Sequence, residues 1–276
     1  MQQKIVFLDI DGTMVCFDGS IPESAQKAVK QARANGHKTV VCTGRSRFQV
    51  SDELLSLGFD GIVCGAGARV VADGKDIYHA VISEEQKKKS FDYLESNGFL
   101  FCYQGEHGLI VNKRSMEGIL KKYENTGMTE KQAAQLQGQL TVCEDVWKQP
   151  DLEKIIFYDS PFPVKEVHEQ LLPYFDTVPL SLEGADGYAG EIGINGIHKA
   201  TGMQIYLDHV QARREDTIAI GDGPNDLQMM EYAGISVAMG NAREEVKRLA
   251  DMVTDHIDED GILHAFERLG LINDCI

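Results

Sequence analysis

Apolar positions along this chain fall into two patterns. Short continuous runs, rich in β-branched side chains, read as buried strands: Ile5-Val6-Phe7-Leu8, Thr39-Val40-Val41-Cys42 and Gly61-Ile62-Val63. Between them stand stretches with the helical period. From Pro22 to Asn35, the residues Ala25, Ala28, Val29 and Ala32 fall at i, i+3, i+4 and i+7. They make one apolar face, opened by Ser20 or Pro22 and closed by Gly36. Phe48 to Leu57 predicts a second helix, closed by Gly58. Strand, helix, strand, helix, strand, with strands apolar throughout, predicts parallel pairing in a doubly wound sheet.

The pattern changes after Val71. Arg69-Val70-Val71 and Ile77-Tyr78 flank Asp73-Gly74, a hairpin signal. From about Ile82 to Gly190 the elements are mixed. Helices are predicted at Glu84 to Ser96, Ser115 to Glu124 and Pro163 to Tyr174. A hairpin around Gly105 joins Phe99–Tyr103 to Leu109–Val111, and further strands are predicted at Lys154 to Tyr158 and Thr177 to Leu182. After Glu191-Ile192-Gly193-Ile194 the parallel pattern returns: helix Lys199 to Val210, strand Thr217 to Ile220, helix Leu227 to Ala233, strand Ile235 to Met239, helix Glu244 to Ala250 and a short strand at Met252-Val253. The fold class is therefore α/β, a doubly wound, mainly parallel core with an inserted α+β cap. The expected domains are 1–82 with 190–276 as core and 83–189 as cap.

Glycines flank both junctions, Gly65, Gly67 and Gly74 on one side and Gly184, Gly187 and Gly190 on the other. They permit the backbone changes a hinge needs, so the insert is expected to be a mobile lid that sets substrate choice, with a rigidly docked second domain as the alternative. Tyr103, Asn112, Glu183 and Tyr188 are candidates for cap residues turned toward the core.

Composition narrows the function. The chain has 276 residues, 43% hydrophobic and 25% charged, an ordinary globular balance. Its 27 basic residues against 43 acidic ones leave a net charge of -16. Such a chain is a poor general binder of nucleic acid or of an anionic membrane. An anionic substrate must be held by local positive charge or a metal. No apolar run approaches the roughly 18 residues of a membrane span, and Met1-Gln2-Gln3-Lys4 does not open a signal peptide. Six scattered cysteines, without metal-ligand spacing, read as reduced and mostly buried thiols in a cytoplasmic protein.

In a doubly wound sheet, ligands sit beyond the carboxyl ends of the strands. Three such ends carry polar clusters: Asp9 and Asp11; Thr43, Gly44 and Arg45; and Asp222, Asn225 and Asp226. Four carboxylates brought into a small volume repel one another unless a hard cation sits among them. Oxygen ligands without a nearby His or Cys point to Mg²⁺ rather than zinc. An Asp on a rigid strand end is a candidate nucleophile, and an acid two residues on can protonate a leaving oxygen and then activate water. Thr43 offers a hydroxyl and a loop N–H to phosphate oxygens, and Lys199 can neutralise the phosphoryl charge.

Asp9-Ile10-Asp11-Gly12-Thr13, Thr43-Gly44-Arg45, Lys199 and Gly221-Asp222-Gly223-Pro224-Asn225-Asp226 stand in the order and setting of the haloacid-dehalogenase superfamily. The chain resembles its Cof-type branch, with a large α/β cap inserted after the third core strand. The resemblance runs on to Ala238-Met239-Gly240-Asn241-Ala242. It implies a Mg²⁺-dependent phosphatase acting through an aspartyl-phosphate. By that resemblance Asp9 is nucleophile and metal ligand. Asp11 is acid and base and gives its backbone carbonyl to the metal. Thr43, Gly44 and Lys199 bind phosphate, with Asn225 close to it, and Asp222 ligates Mg²⁺ with Asp226 in support. One run departs: Cys64-Gly65-Ala66 stands where the branch usually has Asn-Gly-Ala, so a polar amide facing the substrate is expected to be missing.

The expected substrate is a small phosphorylated metabolite, a sugar phosphate or a nucleotide-like cofactor, with no nucleic-acid or membrane partner. A phosphotransferase or phosphomutase using the same aspartyl-phosphate, and a phosphometabolite-binding protein without turnover, are the alternatives. Asp11 favours phosphoryl transfer over dehalogenation, because a leaving halide needs no proton.

Overall fold

The computed structural model describes residues 2–124, 137–180 and 187–273. The chain divides into two compact units. The first holds Met1–Arg45, Val50–His79 and Ile197–Ile276, and the second holds Ser46–Gln49 and Ala80–Gly196. Among the described residues no helix is long and apolar enough to cross a membrane.

The first unit is built on an eight-stranded sheet. Its strands are β1 Ile5–Leu8, β2 Lys38–Cys42, β3 Gly61–Cys64, β4 Arg69–Ala72, β5 Lys75–His79, β12 Thr217–Gly221, β13 Ile235–Ala238 and β14 Met252–Val253. The order is β14-β13-β12-β1-β2-β3-β4-β5. Neighbours from β14 to β3 run parallel, and the β4–β5 hairpin adds an antiparallel edge. β1 lies centrally between β12 and β2 and is buried at every position, which is why its sequence is apolar without alternation. The chain order reverses there, β1 pairing on one side with the C-terminal segment and on the other with β2. Such a switch point opens a crevice beyond the strand ends.

Helices lie where the period places them. Glu23–Ala34 buries Ala25, Ala28, Val29 and Ala32. The helix predicted from Phe48 is shorter than expected. Arg47–Gln49 forms one 3₁₀ turn, and Ser51 then caps Asp52–Leu55 by accepting the Leu54 N–H. The Ser51 cap sets the start, because its side chain satisfies a donor at the helix mouth.

The second unit is a six-stranded sheet of order β10-β11-β9-β6-β7-β8. These are β6 Leu100–Gly105, β7 Gly108–Val111, β8 Leu140–Val142, β9 Leu152–Asp159, β10 Phe175–Pro179 and β11 Gly190–Ile194. Pairing is antiparallel except for β7 with β8. Helices Glu84–Ser96 and Val164–Leu171 contribute Leu94, Val164, Val167 and Leu171 to one apolar cluster with Phe101, Tyr103, Ile155 and Phe157. The expected return of the core at residue 190 is corrected here. Gly190–Ile194 pairs antiparallel with both β9 and β10, and the second unit runs on to Gly196. Its apolar alternation is that of a strand with one neighbour on each side, and the sequence pattern does not say which sheet supplies them.

Two of the cap candidates have local duties. The Tyr103 ring is fully buried, its hydroxyl bonded to Ser90 Oγ at 2.8 Å and to the Lys87 carbonyl. Asn112 Oδ1 accepts the Ser115 N–H at 2.7 Å at the start of helix Lys113–Glu124. Tyr188 is exposed. Glu183, Gly184 and Cys275 lie outside the described residues, and the remaining cysteines are free thiols.

A three-residue turn after β3 holds helix Lys199–Val210 against the sheet. Gly67 has φ +102°, and a Cβ there would stand 2.2 Å from the His198 carbonyl oxygen. Gly74 also has positive φ, yet a Cβ there meets nothing within 4 Å. Gly67→Ala is therefore expected to lower the unfolding free energy by roughly 2–4 kcal/mol and Gly74→Ala by about 1 kcal/mol or less, read by chemical denaturation. Equal losses would show that conformational strain alone, not the helix contact, sets the requirement for Gly67.

Candidate active site

Asp9 follows β1 directly, and its N–H donates to the Ile220 carbonyl of β12 at 3.0 Å. The chain then turns sharply: Met14 and Val15 donate to the Ile10 carbonyl, and Gly12 donates to the Val15 carbonyl. Gly12 has φ +78°, and a Cβ there would lie 2.3 Å from Asp222 Oδ2. Only glycine satisfies both the left-handed backbone and the approach of Asp222. Thr13 donates its hydroxyl to Asp222 Oδ1 at 3.1 Å, and Asn241 donates to the Gly12 carbonyl at 2.7 Å.

Lys199 is the first residue of its helix, whose start is capped by His198 Nδ1 accepting the Thr201 N–H. Its ammonium is buried and lies 2.6 Å from Asp9 Oδ1 and 2.5 Å from Asp226 Oδ1. Burial works to strip this ammonium of its proton. The charges of Asp226 and Asp9 reverse that and hold it protonated, above the ordinary lysine range. Asp226 is fully buried, and its second oxygen accepts the N–H groups of Asp222 and Gly223 at 3.0 and 2.9 Å. Both of its oxygens thus already have donors. Asp9 Oδ2, by contrast, accepts from no donor among the described residues.

Asp9, Asp222 and Asp226 each place a carboxylate oxygen within 4.8 Å of the others. Burial and then the Asp226 charge hold the Asp9 carboxyl well above the usual carboxylate range, with Lys199 opposing. Burial and Asp226 likewise push Asp222 up to about 7. Together with Asp11 there are four carboxylates, against the two cations Lys199 and Arg45. The deficit is two charges, set among oxygen atoms. The donor set fits a hard divalent cation such as Mg²⁺, with Asp9 and Asp222 as the carboxylates whose oxygens are least engaged and Asp226 as their support.

The Thr43-Gly44-Arg45 loop follows β2. Thr43 is buried. Its N–H donates to the Val63 carbonyl at 2.8 Å, so that N–H is not available to a phosphate. Its hydroxyl oxygen accepts the Arg45 N–H at 3.1 Å, which leaves the hydroxyl proton to donate elsewhere. Gly65 and Ala66 donate to the Arg45 and Thr43 carbonyls at 2.7 and 3.0 Å. Cys64 is fully buried in the core. The loop after β3 carries Ala66 at φ 55°. Asn225 is half-buried on the short turn between Asp222 and Asp226.

The first unit thus gathers Asp9, Lys199, Asp222 and Asp226 into one bonded group, with Thr13 and Gly12 against Asp222. The Asp11 carboxylate is apart from it and exposed, held by Arg45. Sequence reading missed two partners, Arg45 for Asp11 and Thr13 for Asp222. The polar residue inside a motif loop is a signal in both cases, but nothing in the spacing names its partner.

Residues 6–266 match the haloacid dehalogenase-like hydrolase family. The Bacillus subtilis (strain 168) protein YkrA is 32% identical, covering 99% of this chain and 100% of its own. The 5-amino-6-(5-phospho-D-ribitylamino)uracil phosphatase YwtE of the same organism is 27% identical, covering 96% of this chain and 98% of its own. A solved HAD subclass IIB sugar phosphatase superposes with a TM-score of 0.79 at 27% identity, covering 98% of this chain and 100% of its own.

The raised Asp222 carboxyl gives this site a pH signature. Its folded-state value of about 7 lies above the value of about 4 of a free aspartate. Below about pH 4 both states are protonated and nothing is lost; between about pH 4 and about 7 the unfolded chain gives up this proton while the folded chain keeps it, so stability falls across that window and the loss is complete once the folded carboxyl ionises above about 7. A cation bound by Asp222 cancels that loss. Millimolar Mg²⁺ is expected to raise the unfolding free energy by about 1–3 kcal/mol near pH 7.5 and by far less near pH 5. Stabilisation that is equal at both pH values would place the cation away from Asp222.

Proposed function

The chain belongs to the haloacid dehalogenase-like hydrolases and is a phosphatase, and from that membership we propose that it hydrolyses a small phosphorylated metabolite, with Mg²⁺, through a phosphoryl group carried on Asp9. The observation that carries this reading is the buried Lys199 ammonium between Asp9 and Asp226, with Asp222 alongside.

In this reading Asp9 attacks phosphorus with Oδ2, the oxygen to which no donor among the described residues is bonded. The Asp9 O–P bond forms as the bond from phosphorus to the leaving oxygen breaks, and Asp11 supplies that oxygen with a proton. Water then attacks phosphorus, gives its proton to Asp11, and Asp9 departs as carboxylate. Lys199 has three N–H groups, of which two serve Asp9 and Asp226. The third, with the Thr43 hydroxyl and the Gly44 and Asn225 positions, would bind the phosphoryl oxygens. Asp9, Asp222 and the Asp11 backbone carbonyl, with Asp226 behind them, would hold Mg²⁺, which would supply charge neutralisation for a dianionic phosphate in an acidic site.

The proposed substrate class is a phosphate ester of a sugar or sugar alcohol, with a nucleotide-like cofactor as a second class. One relative acts on a 5-phospho-D-ribityl compound and a structural neighbour is a sugar phosphatase. Their alkoxide leaving groups need a proton, which is the service assigned to Asp11. Asp9→Asn is expected to leave the unfolding transition in place and to reduce kcat by at least about 10³-fold, because the amide is a poor nucleophile and a weak metal ligand. More than a tenth of the wild-type rate would remove Asp9 from the nucleophile role. A screen of phosphorylated metabolites is expected to show turnover only with Mg²⁺ present; full rates in excess chelator would exclude the metal.

A further inference from the structure

We propose that Arg45 is the positioning residue for Asp11, the group that aims its proton at the leaving oxygen. This deepens the reading of Asp11 as acid and base, and rests on it. Arg45 Nε donates to Asp11 Oδ2 at 2.9 Å and Nη2 donates to Oδ1 at 2.5 Å. The planar guanidinium fork thus meets both oxygens of one carboxylate. The Asp11 side chain is 60% exposed, and no other donor to its carboxylate is found among the described residues. Without the fork it would sample several rotamers, as exposed aspartates do.

The fork itself stands on a fixed base. The Arg45 N–H is held by Thr43 Oγ1, and its carbonyl accepts the Gly65 N–H at 2.7 Å. Thr43 in turn is tied to β3 through the Val63 carbonyl. The guanidinium therefore refers Asp11 back to the rigid ends of β2 and β3, whereas its own backbone lies past the end of β1.

Stability is a poor reason for this pair. An exposed ion pair contributes roughly 1 kcal/mol or less. Geometry is a better one. Each carboxylate oxygen has two lone-pair directions. The fork takes the inner one on each oxygen, and the outer ones are left pointing away from Arg45. A proton carried there passes to the leaving oxygen as the P–O bond breaks, and is replaced from the attacking water. Arg45 donates no proton and needs no contact with substrate.

The test compares two probes, glycerol phosphate, which leaves as an alkoxide, and p-nitrophenyl phosphate, which leaves without needing a proton. The readout is kcat/KM, which covers only the steps up to departure of the leaving group. Arg45→Lys keeps the charge and loses the fork; Arg45→Gln loses both. Each is expected to lower kcat/KM for glycerol phosphate by about 10²-fold, the order expected for a misplaced catalytic group, and to change that for p-nitrophenyl phosphate by less than about 3-fold. In an Asp11→Asn background the Arg45→Lys change is expected to add no further loss. Thermal unfolding and Mg²⁺-induced stabilisation near those of wild type separate this effect from a folding defect; if Arg45→Gln unfolds, Arg45→Lys carries the comparison. Equal losses on both probes from Arg45→Lys, alongside a leaving-group-dependent loss from Asp11→Asn, would overturn the positioning role alone. A fresh loss from Arg45→Lys in the Asp11→Asn background would do the same. Equal losses on both probes from Asp11→Asn itself would overturn the acid role and the proposal with it.

Discussion

One buried ammonium holds the reacting end of this protein together. Lys199 reaches Asp9 and Asp226, residues separated from it by 190 and 27 positions. Taking three charges out of water is expensive, and it succeeds only where each finds its partner and the remaining lone pairs are satisfied. The fold supplies those conditions. Asp9 stands at the end of the central strand, Asp226 at the turn after its neighbour β12, and Lys199 at the mouth of a helix packed beside the sheet. The second oxygen of Asp226 then gathers the N–H groups of Asp222 and Gly223, so the position of the third carboxylate follows from the same contact. Gly12 and Gly221 keep the approach open; a Cβ at Gly221 would lie 2.5 Å from the Asp226 carboxyl carbon.

The consequence is a site whose charges are fixed before any substrate arrives. Lys199 answers part of the acidic charge and leaves the rest unmet, which is why burial and neighbouring carboxylates raise Asp9 and Asp222. An acidic protein of net charge -16 gains nothing from its overall field when it binds a phosphate. In the proposed reading, local positive charge would do that, from Lys199 and a bound cation. Dipoles and charges aligned in advance need no reorganisation as the reaction proceeds, and such alignment is usually what accelerates a phosphoryl or acyl transfer most.

Much of this was legible in the sequence. β1 announces itself as an unbroken apolar run, and the polar clusters at three strand ends point to one crevice once the strands are read as parallel. Asp9, Lys199, Asp222 and Asp226 follow from that reading together with the family resemblance. What stayed hidden depends on pairing. Gly190–Ile194 carries an ordinary strand pattern, which does not reveal that it joins the second sheet rather than reopening the first. Arg45 and Asp11 are brought together by two loops, and spacing says nothing of that. The packing of Cys64 into the core, and the N–H groups by which its loop holds the Thr43 and Arg45 carbonyls, likewise depend on the sheet and not on the motif's spelling. The helix predicted from Phe48 began late because the Ser51 cap overrode an apolar period.

The most direct test of the account is chemical capture of the phosphorylated carboxylate. Enzyme mixed with Mg²⁺ and a ³²P-labelled substrate, quenched in acid within a single turnover, should carry label that hydroxylamine removes, on the peptide containing Asp9, forming and decaying at rates fast enough to account for turnover. Full turnover with no protein-bound label, or with label on a different residue, would contradict a nucleophilic Asp9.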